Sequence, residues 1–202
     1  MVKVDIRGIE QVKQRLARIP RDLAPKVIQP ALNKTAEKGQ AEATRAITSE
    51  YAVKATDVRN SISLRKAKDG QLQAIIEVFG SPSKRGRSMN LIRFLAIAQS
   101  RGRASRVRGK KVTKNEIAAV GRQLGFLIRR AGGIKTIPGA FIGNKGRTVF
   151  IREGKSRLPI KALQVIGFSQ MFSSRKIIQR VVNRINESLP VEIDRAMKRL
   201  IA

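Results

Sequence analysis

Pro138-Gly139-Ala140-Phe141-Ile142, Gly143-Asn144-Lys145-Gly146-Arg147 and Thr148-Val149-Phe150-Ile151-Arg152 follow one another in the chain. Two short apolar runs are parted by a Gly-Asn-Lys-Gly turn, which is the pattern of a β-hairpin. Leu158-Pro159-Ile160 closes the stretch. The most basic part of the chain precedes it, and a segment with helical spacing follows it to the C-terminus. The fold class read from this arrangement is α+β: a small antiparallel β-sheet packed against long N- and C-terminal helices, with a basic loop and helix insertion at about 81–133.

Upstream of the hairpin, Val2 to Arg7 alternates with period two up to Gly8 and predicts an opening strand, followed by a short helix through Ile9, Val12, Leu16 and Ile19. Arg21 to about Ser49 predicts a second helix, in which Pro30 either introduces a kink or marks the regular start. Its small residues Ala36, Gly39, Ala43 and Ala46 would let another element come close, whether this chain's own sheet or a second subunit. Asp57 is a candidate N-cap. Ile62 to Arg65 and Leu72 to Phe79 flank Lys68-Asp69-Gly70-Gln71, and Asp-Gly is the dipeptide favoured by a two-residue primed turn.

Gly80 to Lys114 has no acid and many cations, with mobile loops expected on either side of an apolar patch, Leu91 to Ala98, that packs as a helix or strand. Helical spacing returns from Asn115 to Arg130. The strands at 2–7, 62–65, 72–79, 140–142 and 148–152 could complete one small antiparallel sheet. Ile177 to Leu189 forms an amphipathic helix that Pro190 breaks or kinks before a last short helix.

With 202 residues and 42% apolar content the chain can bury a core, and residues 1–202 are read as one domain. Formal net charge is +29, from 43 Lys and Arg against 14 Asp and Glu, which predicts attraction to polyanions or acidic protein surfaces. No apolar run is long enough to span a bilayer and the start lacks a signal-peptide core, so a cytoplasmic site of synthesis and no membrane partner are expected. The absence of Cys and His removes thiol nucleophiles, most zinc chemistry and the usual general base. One Tyr, no Trp and seven Phe leave few platforms for stacking bases, so nucleic-acid contacts would go mainly to phosphate.

Gly143-Asn144-Lys145-Gly146 and Glu153-Gly154-Lys155-Ser156 lack the spacing of a phosphate-binding loop and read as turns. Glu192 and Asp194, two apart, would point to different helix faces. No catalytic residue, metal site, cofactor or small-molecule substrate is expected. The functional weight falls on Lys84, Arg85, Arg87, Arg101, Arg103, Arg106, Arg108, Lys110 and Lys111. Their charge suits duplex DNA, an acidic protein ring, or a solvated arm that only aids solubility.

Ile137-Pro138-Gly139-Ala140-Phe141-Ile142, then Val149-Phe150-Ile151-Arg152, Gly154-Lys155, Arg157 and Leu158-Pro159-Ile160, resembles the minor tail protein Z family of long-tailed bacteriophages. Ile6-Arg7-Gly8-Ile9-Glu10 and Leu189-Pro190-Val191-Glu192 extend the resemblance. It marks Pro138, Gly139, Phe141, Ile142, Phe150, Arg152, Pro159 and Ile160 as the family motif, placed here in the sheet core. It implies a structural virion protein that completes the head-proximal end of a tail and is assembled in the bacterial host cytoplasm. The partners implied are further copies in a ring (six-fold, with twelve-fold the alternative), neighbouring tail tube, terminator or head-connector proteins, and viral double-stranded DNA held without sequence preference. The rival class is a sequence-independent, nucleoid-like DNA- or RNA-binding protein.

Overall fold

The computed structural model describes residues 24–68, 71–81, 88–100, 103–107, 113–120 and 123–201. The predicted opening strand at 2–7 and the short helix after it lie outside these residues. Two 27-residue helices, α1 (Ala24–Glu50) and α5 (Arg175–Ile201), run antiparallel against each other. At one end Val27 and Ala31 of α1 pack on Leu189 and Ile193 of α5; at the other, Lys176 of α5 pairs with Glu50 at 3.0 Å. The small face of α1 meets its own chain. A methyl group on Gly39 would lie 2.9 Å from Ile76 and 3.2 Å from Ile185, so glycine sets the approach of both a strand and α5.

Both prolines sit inside continuous helices. The sequence led us to expect that Pro190 would divide the C-terminal segment, yet α5 runs through it to Ile201. Proline removes one backbone donor and crowds the preceding turn. The flanks outweigh that loss: Leu189 and Ile193 are buried on α1, and Ser188 Oγ donates to the carbonyls of Arg184 at 2.7 Å and Ile185 at 3.3 Å. Pro30 is held likewise by Val27 and Ala31, and the helix begins before it.

Helix α2 (Ala55–Ser61) leads into β1 (Ile62–Arg65), which pairs with β2 (Ile75–Val78) in the register Ile62↔Val78. Lys68 and Gln71 exchange backbone hydrogen bonds of 3.1 and 2.9 Å across the predicted turn, whose central Asp69 and Gly70 lie outside the described residues. The second strand is shorter than the 72–79 expected. Asp57 does not cap α2: it lies within the first turn, where Arg93 donates to it at 2.6 Å, and Lys54 occupies the cap position.

The apolar patch at 91–98 divides into a 3₁₀ turn (Leu91–Phe94) and β4 (Leu95–Ser100). β3 (Ser88–Asn90) precedes it, and β5 (Arg103–Arg106) follows. The expected helix over 115–130 is shorter. Helix α3 covers Lys114–Val120, started by a reciprocal pair in which Glu116 N donates to Thr113 Oγ1 and Thr113 N donates to Glu116 Oε2. Further on, β6 (Gly125–Phe126) is inserted between β4 and β7 (Lys135–Thr136). A Cβ at Gly125 would lie 2.9 Å from Ile134 and 3.0 Å from Ile97, so strand packing claims residues whose spacing also suits a helix.

The predicted hairpin forms β8 (Phe141–Gly143) and β9 (Thr148–Arg152), with β10 (Ile160–Ala162) on its other edge. β11 (Gln164–Ile166) pairs with β3. Among the described residues, strands thus form four separate small antiparallel sheets rather than one five-stranded sheet. Asn90 joins two of them: its Oδ1 accepts from Val149 N at 2.9 Å and Ile92 N at 3.0 Å, and its amide donates to Val149 O at 3.3 Å. The short helix α4 (Phe168–Phe172), unmarked in the sequence reading, puts Phe168, Met171 and Phe172 into the main core beside Phe94, Phe126, Ile47, Ile177 and Val149.

Candidate interaction surface

The turn between β8 and β9 takes positive φ at Asn144 (50°), Lys145 (52°) and Gly146 (83°), and is closed by Gly146 N donating to Gly143 O at 3.1 Å. The Gly-Asn-Lys-Gly sequence is therefore turn chemistry, as read. Opposed residues in a ladder share a face. Ile142 and Val149 are opposed, and both join the core, with Val149 fully buried. Phe141 and Phe150 are opposed on the other face, as are Arg152 and Ile160.

That outer face is an organised surface. The Phe141 and Phe150 rings stack at 5.9 Å with 29° between planes, and the Arg152 guanidinium lies 4.7 Å from the Phe141 ring centroid. A Cβ on Gly143 would come 3.0 Å from the Phe150 ring, so the glycine makes room for that ring across the strand. Both rings are half-buried and Arg152 and Ile160 are exposed. The motif residues Phe141, Phe150, Arg152 and Ile160, placed in the core by the sequence reading, thus lie on the side away from it, and of the motif only Ile142 packs inward. Thr148 to Ile151 offers apolar groups to both faces, so its pattern does not choose. The bonds from Asn90 to Val149 fix which side is in.

Beyond β9, Glu153 N donates to Pro159 O at 3.3 Å and closes an exposed loop. Leu158, joined to Pro159 by a cis peptide bond, is 66% exposed, and Ile160 is 39% exposed. Pro138 and Gly139, the latter at φ +74°, are exposed at the entry to β8. Lys145, Arg147, Lys155, Arg157 and Lys161 are all exposed, and among the described residues none has an acidic partner. Elsewhere, most of the described acids are engaged. Glu37, Glu42, Glu50, Asp57, Glu77, Glu187 and Glu192 each pair with a Lys or Arg of this chain.

Of the basic residues singled out in the sequence, Lys84, Arg85, Arg87, Arg101, Arg108, Lys110 and Lys111 lie outside the described residues. Arg103 and Arg106, expected in a loop, belong to β5, where they oppose Ser100 and Ile97. The strand forms because the buried apolar run from Leu95 makes a strand whose edge is open to pair with it. A second cationic surface on α5, formed by Arg175, Lys176, Arg180 and Arg184, was not singled out beforehand. Arg180 there is tied to Glu42 at 2.8 Å and Ser49 at 3.1 Å, so part of its charge is spent within the fold.

Among the described residues the acids do not converge. Glu192 is buried; Lys38 donates to it at 2.5 Å and Arg195 at 2.7 Å, while Asp194 is exposed on another side of α5. The hydrogen bond from Lys38, reinforced by the nearby charges of Lys38 and Arg195, holds the Glu192 carboxyl below the usual range against the opposing effect of burial. It acts as a latch between α1 and α5. Among the described residues no cluster of three or more His, Cys, Asp or Glu could hold a metal, and no helix is long and apolar enough to cross a membrane.

The family model for prophage minor tail protein Z matches residues 6–201. The chain belongs to that family, and is a phage minor tail protein located in the virion. No curated protein and no solved structure matches it.

Proposed function

We propose that this minor tail protein is a non-enzymatic subunit that completes the head-proximal end of a phage tail and joins it to the head connector. It does so as part of a homo-oligomeric ring, six-fold or alternatively twelve-fold, around the channel for double-stranded DNA. Assembly takes place in the host cytoplasm before the tail meets the head. The observation that carries this reading is the family match over nearly the whole chain. The net charge of +29 supports it: a subunit lining a conduit gains from cations that hold phosphate without reading bases. Lys84 to Lys111 supplies the densest such charge in the sequence, facing DNA or an acidic neighbour. A closed ring repeats one heterologous interface, and the α1–α5 pair gives each subunit a stiff frame for it.

The test is deletion of the gene from an inducible prophage, with electron microscopy of the particles and complementation in trans. Tails lacking the protein should fail to join filled heads, and joining should return with the wild-type chain. In solution the purified chain should form closed rings whose DNA affinity falls with a log–log salt slope of about −5 if six phosphates are neutralised. Normal head-to-tail joining without the gene would overturn the reading, as would a monomer binding DNA at nanomolar Kd in physiological salt. The latter is the behaviour of a nucleoid-like protein.

A further inference from the structure

We propose that the outer face of β8–β10, with the loop that ends at Leu158, is the docking surface for a neighbouring tail protein whose own surface is acidic around an apolar seat. This rests on the tail reading above and names the kind of partner it requires. Two features coincide there. Ile160 is an exposed apolar side chain on the same face as the stacked, half-buried Phe141 and Phe150, opposite Arg152, and Leu158, exposed, ends the loop that enters its strand. Lys155 and Arg157, in the loop that leads to Leu158, are exposed and without acidic partners among the described residues. An apolar and aromatic centre with an Arg over it and a charged rim is the composition of an interface anchor.

Charge decides between occupants. A second copy would have to offer acids to this face, but the described acids of this chain are largely paired with its own cations, so another copy gives these cations no complement. The ring contact must use another surface. Duplex DNA would satisfy the cations but gives nothing to Leu158, Ile160 or rings already stacked on each other, since phosphate contacts need no apolar side chain. A protein with both acidic and apolar surface satisfies all of them.

The probe is tails assembled without this protein, taken from the deleted prophage and immobilised, with purified chains passed over them. Wild type should bind. Leu158→Ser with Ile160→Ser should weaken binding by about ten-fold or more through faster dissociation at every salt concentration, since truncating anchors acts on the off-rate. Lys155→Glu with Arg157→Glu should slow association by about ten-fold or more, a difference that shrinks as salt rises. All four positions are exposed, so melting temperatures should match wild type, and Arg175→Glu on α5 should bind tails normally. If wild type and both double variants bind tails alike, the docking face is wrong while the tail role stands. If wild type does not bind tails at all, the tail role and the docking face fall together. Loss of duplex DNA binding in the charge variant, with tail binding intact in both variants, assigns the face to DNA and also overturns the proposal.

Discussion

Replacing Asn90 by Ala removes three hydrogen bonds that tie β3 and the 3₁₀ turn to β9: those from Val149 N, from Ile92 N and to Val149 O. Val149 is fully buried, so its N–H loses an acceptor where water is excluded. An unsatisfied buried donor costs about 1–3 kcal/mol, and loss of the cap on Ile92 N about 0.5–2 kcal/mol. The two share one side chain and are not additive, so the expected loss is about 2–4 kcal/mol in total. Asn90→Asp keeps the two acceptor bonds but sets a carboxylate oxygen against the Val149 carbonyl, and should fall between Ala and wild type. Urea denaturation followed by circular dichroism reads all three proteins, with the midpoint shifting at unchanged slope. A loss below about 0.5 kcal/mol for Asn90→Ala, or an Asp variant worse than Ala, would refute the assignment of this side chain as the joint between the ladders.

Phe94→Ala, at a fully buried ring, should cost about 3–5 kcal/mol, whereas Phe141→Ala, at a half-buried one, should cost about 1–2 kcal/mol. Equal losses in thermal denaturation would return Phe141 to the core. Gly39→Leu has no room between Ile76 and Ile185 and should destabilise by about 1–3 kcal/mol despite the better helix propensity of Leu, lowering the melting temperature; an unchanged one would show that α1 and α5 can separate. Glu192 has a folded pKa below its unfolded value of about 4.3, so the unfolded chain binds the extra proton first. Its contribution is therefore present above that pH and lost as pH falls from about 4.3 through the folded value. Glu192→Gln should lower stability at neutral pH and flatten the acid limb of the stability profile, and a parallel limb in the two proteins would rule out the latch.

The hairpin at 141–152, the Lys68–Gln71 turn, the two long helices and the α+β class were all legible in the chain, because each rests on residues a few positions apart: a period, a Gly-Asn or Asp-Gly turn, an apolar stripe. Local spacing misled where two periods coincided. Leu124 to Ile128 has helical spacing, yet Gly125–Phe126 within it forms a strand because Gly125 lets Ile97 and Ile134 close over it. The uninterrupted α5 likewise depends on Val27 and Ala31 lying against its proline turn.

Sequence alone therefore determined the α+β class, the two long helices, the hairpin turns, the charge and the absence of Cys and His, since these are properties of neighbouring residues or of composition. Tertiary structure alone decided sidedness. Asn90 reaches Val149 across 59 positions and Lys38 reaches Glu192 across 154, and no local pattern encodes such pairings. The contact from Asn90 turns Val149 inward and leaves Phe141, Phe150, Arg152 and Ile160 outward. One face of a three-stranded ladder can be buried against the core while the other stays open to a partner.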